Sequence, residues 1–137
     1  CVLTPTSRTP RHALEGVARL WRALGTTVRV MDPATHDRLL AAVSHVPHLV
    51  AFTLVNSTDR NGLRVAPRSF LEATRVAKSD PDLWDDILLS NRRALLSAMD
   101  RFDVTWKQCR QLLVASDRAS LKRLLRHAST IRRALHD

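Results

Sequence analysis

Ser44-His45-Val46-Pro47-His48 is the densest cluster of chemically capable side chains in the chain. Helix positions three and four apart share a face, so Ser44, His45 and His48 would line up on one side. A proline inside a helix deletes a backbone hydrogen bond at a cost of ~3 kcal/mol, so a kink at Pro47 points to a packing or site-building reason. Imidazole, neutral or protonated, donates hydrogen bonds to carboxylate oxygens. Spacing alone favours the plainer alternative, two histidines satisfied by their neighbours. His36 lies nine residues before His45, but no third ligand falls on that face, so metal binding draws little support.

A second cluster, Thr74, Arg75 and Ser79, would gather two hydroxyls and a guanidinium around an anion. Arginine keeps its charge and grips a carboxylate through two parallel hydrogen bonds. The alternative is an intrahelical pair between Arg75 and Glu72, worth only tenths of a kcal/mol (~0.3) on a helix surface. Periodicity leaves the two readings even. Arg118, Lys122, Arg126 and Arg133 follow helical spacing and make a basic face. Such a face is usually solvated, and neither an aromatic ladder, a zinc motif nor a helix-turn-helix accompanies it. There is no glycine-rich phosphate loop and no Ser/His/Asp motif.

These residues sit in a chain of 137 residues with a net charge of +9, 45% hydrophobic and 26% charged, with only 3 glycines. That composition is globular and favours helix, and the length suits one domain with a real core. The excess charge lies at the ends. Residues 1–31 hold five Arg against Glu15, residues 118–137 hold six Lys/Arg against Asp137, and 32–117 balances 11 basic with 11 acidic. Cys1 and Cys109 form neither a disulfide framework nor a ligand spacing. The absence of a leader pattern and of an apolar run of membrane length leads to the expectation of a cytoplasmic protein without a membrane span. A first residue Cys1, not Met, leads to the expectation of a truncated chain.

The elements that must position the clusters follow from periodicity. Val2-Leu3-Thr4, a helix opening at Pro10 and closing at Gly25, and Thr27–Met31 read as strand, helix, strand, the edge of a larger sheet. Asp32-Pro33 and Asp80-Pro81 are cap-plus-proline helix starts. A helix runs from Pro33 toward Asn56, a loop with Asn61-Gly62 as its turn spans 56–67, and 68–78 is helix-compatible. Ser90 is positioned to cap the next helix. Leu95, Met99, Phe102, Trp106, Cys109 and Leu113 make one heptad-like seam; Leu121, Leu124, Ala128, Ile131 and Leu135 make a second. Two long helices joined near Ser116-Asp117 would then form an antiparallel hairpin.

The string from His36 to Leu49, HDRLLAAVSHVPHL, closely resembles the prephenate/arogenate dehydrogenase family, as does TRVAKSDPDLWDDI from Thr74 to Ile87 with Asn91. Val2-Leu3-Thr4-Pro5 and Val30-Met31-Asp32-Pro33 resemble that family's last sheet segments, so the likeness covers nearly the whole chain. It implies oxidative decarboxylation in tyrosine or related aromatic biosynthesis: hydride passes from the hydroxyl-bearing ring carbon to NAD or NADP while the ring carboxylate is lost. It further implies that Ser44, His45 and His48 line the substrate pocket, and that Arg75, flanked by Thr74 and Ser79, holds a substrate carboxylate. Where many members have glycines before the Phe, this chain has Ala66-Pro67-Arg68-Ser69-Phe70. Pro67 has no N–H to offer there, which leaves prephenate, arogenate and an amino-substituted analogue all open.

The resulting expectation is a mainly α fold, a helical substrate-pocket and dimerisation domain over 32–137. A short βαβ remnant of a Rossmann-type sheet precedes it over 1–31. The chain is expected to form a homodimer and to bind a small-molecule dicarboxylate, with neither membrane nor nucleic acid as partner and no metal. The glycine loop and the catalytic histidine would belong to a missing N-terminal half that binds NAD or NADP, leaving the isolated chain inactive, with no catalytic residue of its own. The alternative is a basic helical nucleic-acid-binding or scaffolding module, which salt-dependent retention on DNA or RNA would favour.

Overall fold

A computed structural model describes residues 1–135. Strand β1 (Val2–Leu3), helix α1 (Arg11–Ala23) and strand β2 (Arg29–Val30) form a βαβ unit. The strands pair in parallel with Val2 opposite Arg29 and Leu3 opposite Val30. Backbone bonds from Arg29 N–H to the Cys1 carbonyl (2.9 Å) and from Met31 N–H to the Leu3 carbonyl (3.1 Å) extend the ladder. Gly25, at φ 79°, ends α1 in the left-handed conformation that costs glycine no Cβ clash. There Thr26 N–H reaches the Trp21 carbonyl at 3.1 Å.

Helix follows almost throughout: α2 (Pro33–Leu40), a π-turn (Ala41–His45), α3 (Val46–Ser57), α4 (Arg60–Arg64), α5 (Arg68–Ala73), a 3-10 turn (Arg75–Lys78), α6 (Pro81–Ser90), α7 (Arg92–Val114) and α8 (Arg118–Ala134). The mainly α expectation with its short parallel βαβ unit therefore holds. Asp32 and Asp80 open helices as their positions foretell, and Asp117 does so as well: the three carboxylates accept from the backbone N–H of Thr35, Asp82 and Ser120. Each thereby satisfies one of the N–H groups that a helix start leaves unpaired.

The chain divides into two compact units, Cys1–Ala98 and Met99–Asp137. In the first, Ala41, Val46, Leu95 and Ala98 form the core, with Leu49, Leu88 and Ala94 packed against it.

 Ala41 is fully buried, and Leu95, 5% exposed, is the largest side chain in this core. In the second unit the partly covered positions are Cys109, Leu112, Asp117, Ser120, Leu121 and Leu124, all near the turn between α7 and α8.

Several sequence expectations need correction. The stretch 56–67 is not an open loop: Asp59 accepts from Gly62 N–H at 2.7 Å and winds Asn61-Gly62 into α4. Ser90 does not cap α7, because its hydroxyl donates back to the Ile87 carbonyl at 3.0 Å and it closes α6 instead. The helix-compatible stretch 68–78 breaks at Thr74, whose hydroxyl donates to the Phe70 carbonyl at 2.7 Å. The hairpin covers its apolar seams only near the turn, and every residue from Leu125 to Leu135 is exposed. Finally, the π-turn joins α2 and α3 into a continuous rod, Pro33–Ser57, of 25 residues, within which an 18-residue stretch has mean hydropathy 1.5, long and apolar enough to cross a membrane. Its Ala41, His45, Val46 and Ala51 are buried within the first unit, while Leu39, Val43, Val50 and Leu54 are exposed.

Candidate functional site

The π-turn is the local device that builds the site. Pro47 cannot donate to the carbonyl four residues back, and its ring would collide with that group in a regular helix. The chain widens just before it, and Val46 N–H reaches the Ala41 carbonyl, five residues back. Such single π-turns are uncommon and occur frequently at functional sites. His45 closes this turn and is 7% exposed; His48 follows one turn later and is half-buried.

Trp84, on α6, joins the two imidazoles. The His48 ring stacks on the indole with centroids 3.5 Å apart and planes 19° from parallel. His45 meets the same indole edge-on at 6.1 Å and 84°. His48 Nδ1 contacts the Ser44 carbonyl at 2.8 Å, so it is the hydrogen donor there and the ring orientation is set from both sides. Asn91, just after α6, places its Nδ2 2.8 Å from the Asp37 carbonyl and 3.2 Å from His45 Nδ1. Burial pushes the His45 pKa down, the neighbouring His48 and His36 add to this, and the Asp37 charge opposes it. A neutral imidazole at pH 7 follows.

Of the residues singled out in the sequence, His45 and His48 both contact the Trp84 ring, and Ser44 meets His48 through its main-chain carbonyl. Thr74 is buried at 7% exposure, but its hydroxyl is spent on the Phe70 carbonyl. Arg75 is exposed on the 3-10 turn, which packs against α3, and Ser79 is half-buried at the end of that turn. The Arg75–Glu72 pair does not form: Glu72 accepts from Arg68 at 2.8 Å. Among the described residues the Arg75 side chain makes no hydrogen bond or ion pair, which leaves its guanidinium available to an anion. Spacing alone overlooked Trp84 and Asn91 as site residues. Both lie in or beside the string from Thr74 to Ile87 that carries the resemblance, but no spacing ties them to the histidines.

The described residues do not fit a dinucleotide pyrophosphate, which needs free backbone N–H groups at a glycine turn and helix start. In the loop after β1, Thr6 N–H donates to Thr9 Oγ1 at 3.0 Å and Arg8 N–H to Thr6 Oγ1 at 3.3 Å. Thr9 N–H is likewise spent on the Thr6 carbonyl at 3.0 Å, and Pro5 and Pro10 have no N–H at all.

Comparison with known proteins identifies relatives of this chain. A cyclohexadienyl dehydrogenase of Zymomonas mobilis is 37% identical over 123 residues, covering 85% of this chain and 42% of the relative. A prephenate dehydrogenase from A. aeolicus, solved with hydroxyphenyl propionate and NAD+, superposes with a TM-score of 0.88 at 33% identity, over 96% of this chain and 48% of that one. An arogenate dehydrogenase from Synechocystis gives 0.84 at 27% identity, covering 96% of this chain and 50% of its own. The chain thus spans half or less of each relative's length. Residues 32–127 match the family described as "Prephenate dehydrogenase, dimerization domain", and the chain belongs to that family.

Proposed function

We propose that this chain is the substrate-binding and dimerising helical part of an NAD(P)-dependent dehydrogenase acting on prephenate, arogenate or an amino-substituted analogue, in cytoplasmic aromatic amino-acid biosynthesis. In this reading residues 1–31 belong to the edge of the dinucleotide-binding sheet, and 32–137 form the substrate pocket and the homodimer contact. The observation that carries it is the buried His45 beside the Trp84–His48 stack, with an unpaired Arg75 on the turn packed against α3.

The residues divide the work by their chemistry. Arg75 holds a carboxylate of the substrate through its planar fork, with Ser79 and Thr74 shaping the turn that carries it. His45, His48 and Ser44 offer hydrogen bonds to the substrate's remaining polar groups, and the Trp84 face gives the ring an apolar wall. The nicotinamide cofactor supplies hydride acceptance when bound. This chain's part is to orient the ring and its carboxylates, and alone it turns over neither substrate.

Steady-state kinetics of a dehydrogenase carrying this chain as its helical half tests the reading. Arg75→Ala is expected to raise the substrate KM by ~10- to 100-fold, the loss of a charge-assisted two-pronged contact, with KM for the nicotinamide nearly unchanged. Arg75→Lys recovers only part, because an ammonium lacks the fork. An unchanged substrate KM in both variants removes Arg75 from the site.

A further inference from the structure

We propose that Asn91 is a positioning residue that holds His45 as the Nε2–H tautomer, so that this imidazole meets the substrate as a hydrogen-bond donor without carrying charge. The inference rests on the dehydrogenase reading for the substrate, but its structural half stands on the contacts alone.

The amide orientation of an asparagine is settled by what it touches. The Asp37 main-chain carbonyl can only accept, so the Asn91 atom 2.8 Å from it is the nitrogen. That NH2 group has a second hydrogen, and 3.2 Å away lies His45 Nδ1. A nitrogen facing an N–H donor must accept, so Nδ1 carries no proton and the proton of the neutral ring sits on Nε2. Protonating Nδ1 would set two donors against each other in a pocket where His45 is 7% exposed.

The groups around the ring act in the same direction or are outweighed. His48, on α3, and His36, on α2, disfavour a second positive charge, while the Asp37 carboxylate favours it less strongly than burial opposes it. Trp84, on α6, presents only an edge-on ring contact. Among the described residues no side-chain nitrogen is both buried and without a partner. Nε2, which has no partner among the described residues, therefore reaches solvent, where a substrate oxygen can accept from it. An acceptor such as Asp in place of Asn91 would invert this arrangement, drawing the proton to Nδ1 and favouring the imidazolium.

Two-bond 15N–1H correlation spectra of the 137-residue chain read the tautomer directly, with His45→Gln assigning the signals. The expected result is a protonated Nε2 and an unprotonated Nδ1 for His45 at neutral pH, and in Asn91→Asp a protonated Nδ1 with a pKa raised above that of the parent. A wild-type His45 found as the Nδ1–H tautomer, or as an even mixture, overturns the proposal even if the Asn91→Asp chain fails to fold. A folded Asn91→Asp chain with an unchanged His45 spectrum also overturns it. Titration with prephenate separates the two readings: the Nε2–H tautomer without any prephenate-induced shift of His45 upholds the Asn91 contact and sinks the substrate role. In a dehydrogenase carrying this chain, Asn91→Asp is expected to move the pH profile of kcat/KM while leaving KM for the nicotinamide unchanged.

Discussion

His45 can take a charge only by giving up its surroundings. Its pKa lies below the ordinary imidazole value of about 6.5, chiefly because burial disfavours the charged form. Above that value neither the folded nor the unfolded chain protonates this ring, and its contribution to stability is fully present. As pH falls through about 6.5 toward the lower folded value, the unfolded chain takes a proton that the folded one resists, and stability is lost. The melting temperature is therefore expected to fall between about pH 7.5 and about pH 5.5, and His45→Gln is expected to reduce that drop. A pH dependence identical in parent and variant would show that His45 titrates normally. Arg75 obeys the opposite logic: it is exposed, and its value lies in being unpaired, so Arg75→Ala should leave stability nearly unchanged while weakening substrate binding.

At the scale of elements, the π-turn before α3 sets where His48 points. Replacing Pro47 by Ala removes the steric reason for the wide turn, and relaxation to a regular helix would rotate the following residues by about 100° per residue of register. The expected outcome is loss of the His48–Trp84 stack, seen as a changed tryptophan near-ultraviolet circular dichroism signal. An unchanged signal would show that the turn is held by packing around Ala41 instead. The helix that begins just beyond the site, α7, is anchored by Leu95, 5% exposed in the core. Leu95→Ala is expected to cost ~2–5 kcal/mol, the range for emptying a buried leucine site, measurable by urea denaturation. A loss far below that would mean the core collapses around the gap.

For the molecule as a whole, the apolar seams of the second unit demand a partner. Phe102 and Trp106 stack in parallel at 6.3 Å on α7, yet they are 42% and 63% exposed, and Ile131 on α8 is 50% exposed. Large apolar side chains left exposed along two helices mark an interaction site, and a second copy of the chain is the occupant proposed above. Sedimentation at micromolar concentration is expected to give a dimer, and Trp106→Glu to give a monomer, because a carboxylate buried against the facing seam would lose its hydration. A monomeric parent chain would remove the homodimer.

The sequence by itself determined the features that depend on near neighbours along the chain. Asp32-Pro33 and Asp80-Pro81 had to open helices, because the carboxylate caps an N–H within three residues and proline suits the first turn. The strand–helix–strand order of residues 1–31 followed from alternation and a glycine stop, and the two long strings around His45 and Arg75 carried the family. Tertiary structure decided what depends on distant partners. Spacing placed Ser44, His45 and His48 on one face, but only the approach of α6 put Trp84 against both imidazoles and brought Asn91, 46 positions away in sequence, to His45 Nδ1. The pairing of Glu72 with Arg68 is local, an i,i+4 contact on α5, but Arg68 and Arg75 are partners too close in energy for a linear pattern to separate, and the helix breaks at Thr74 before Arg75. Burial is a property of the assembled chain, so the depressed proton affinity of His45 and the uncovered seams of α7 and α8 emerge only once the helices have found, or failed to find, something to pack against.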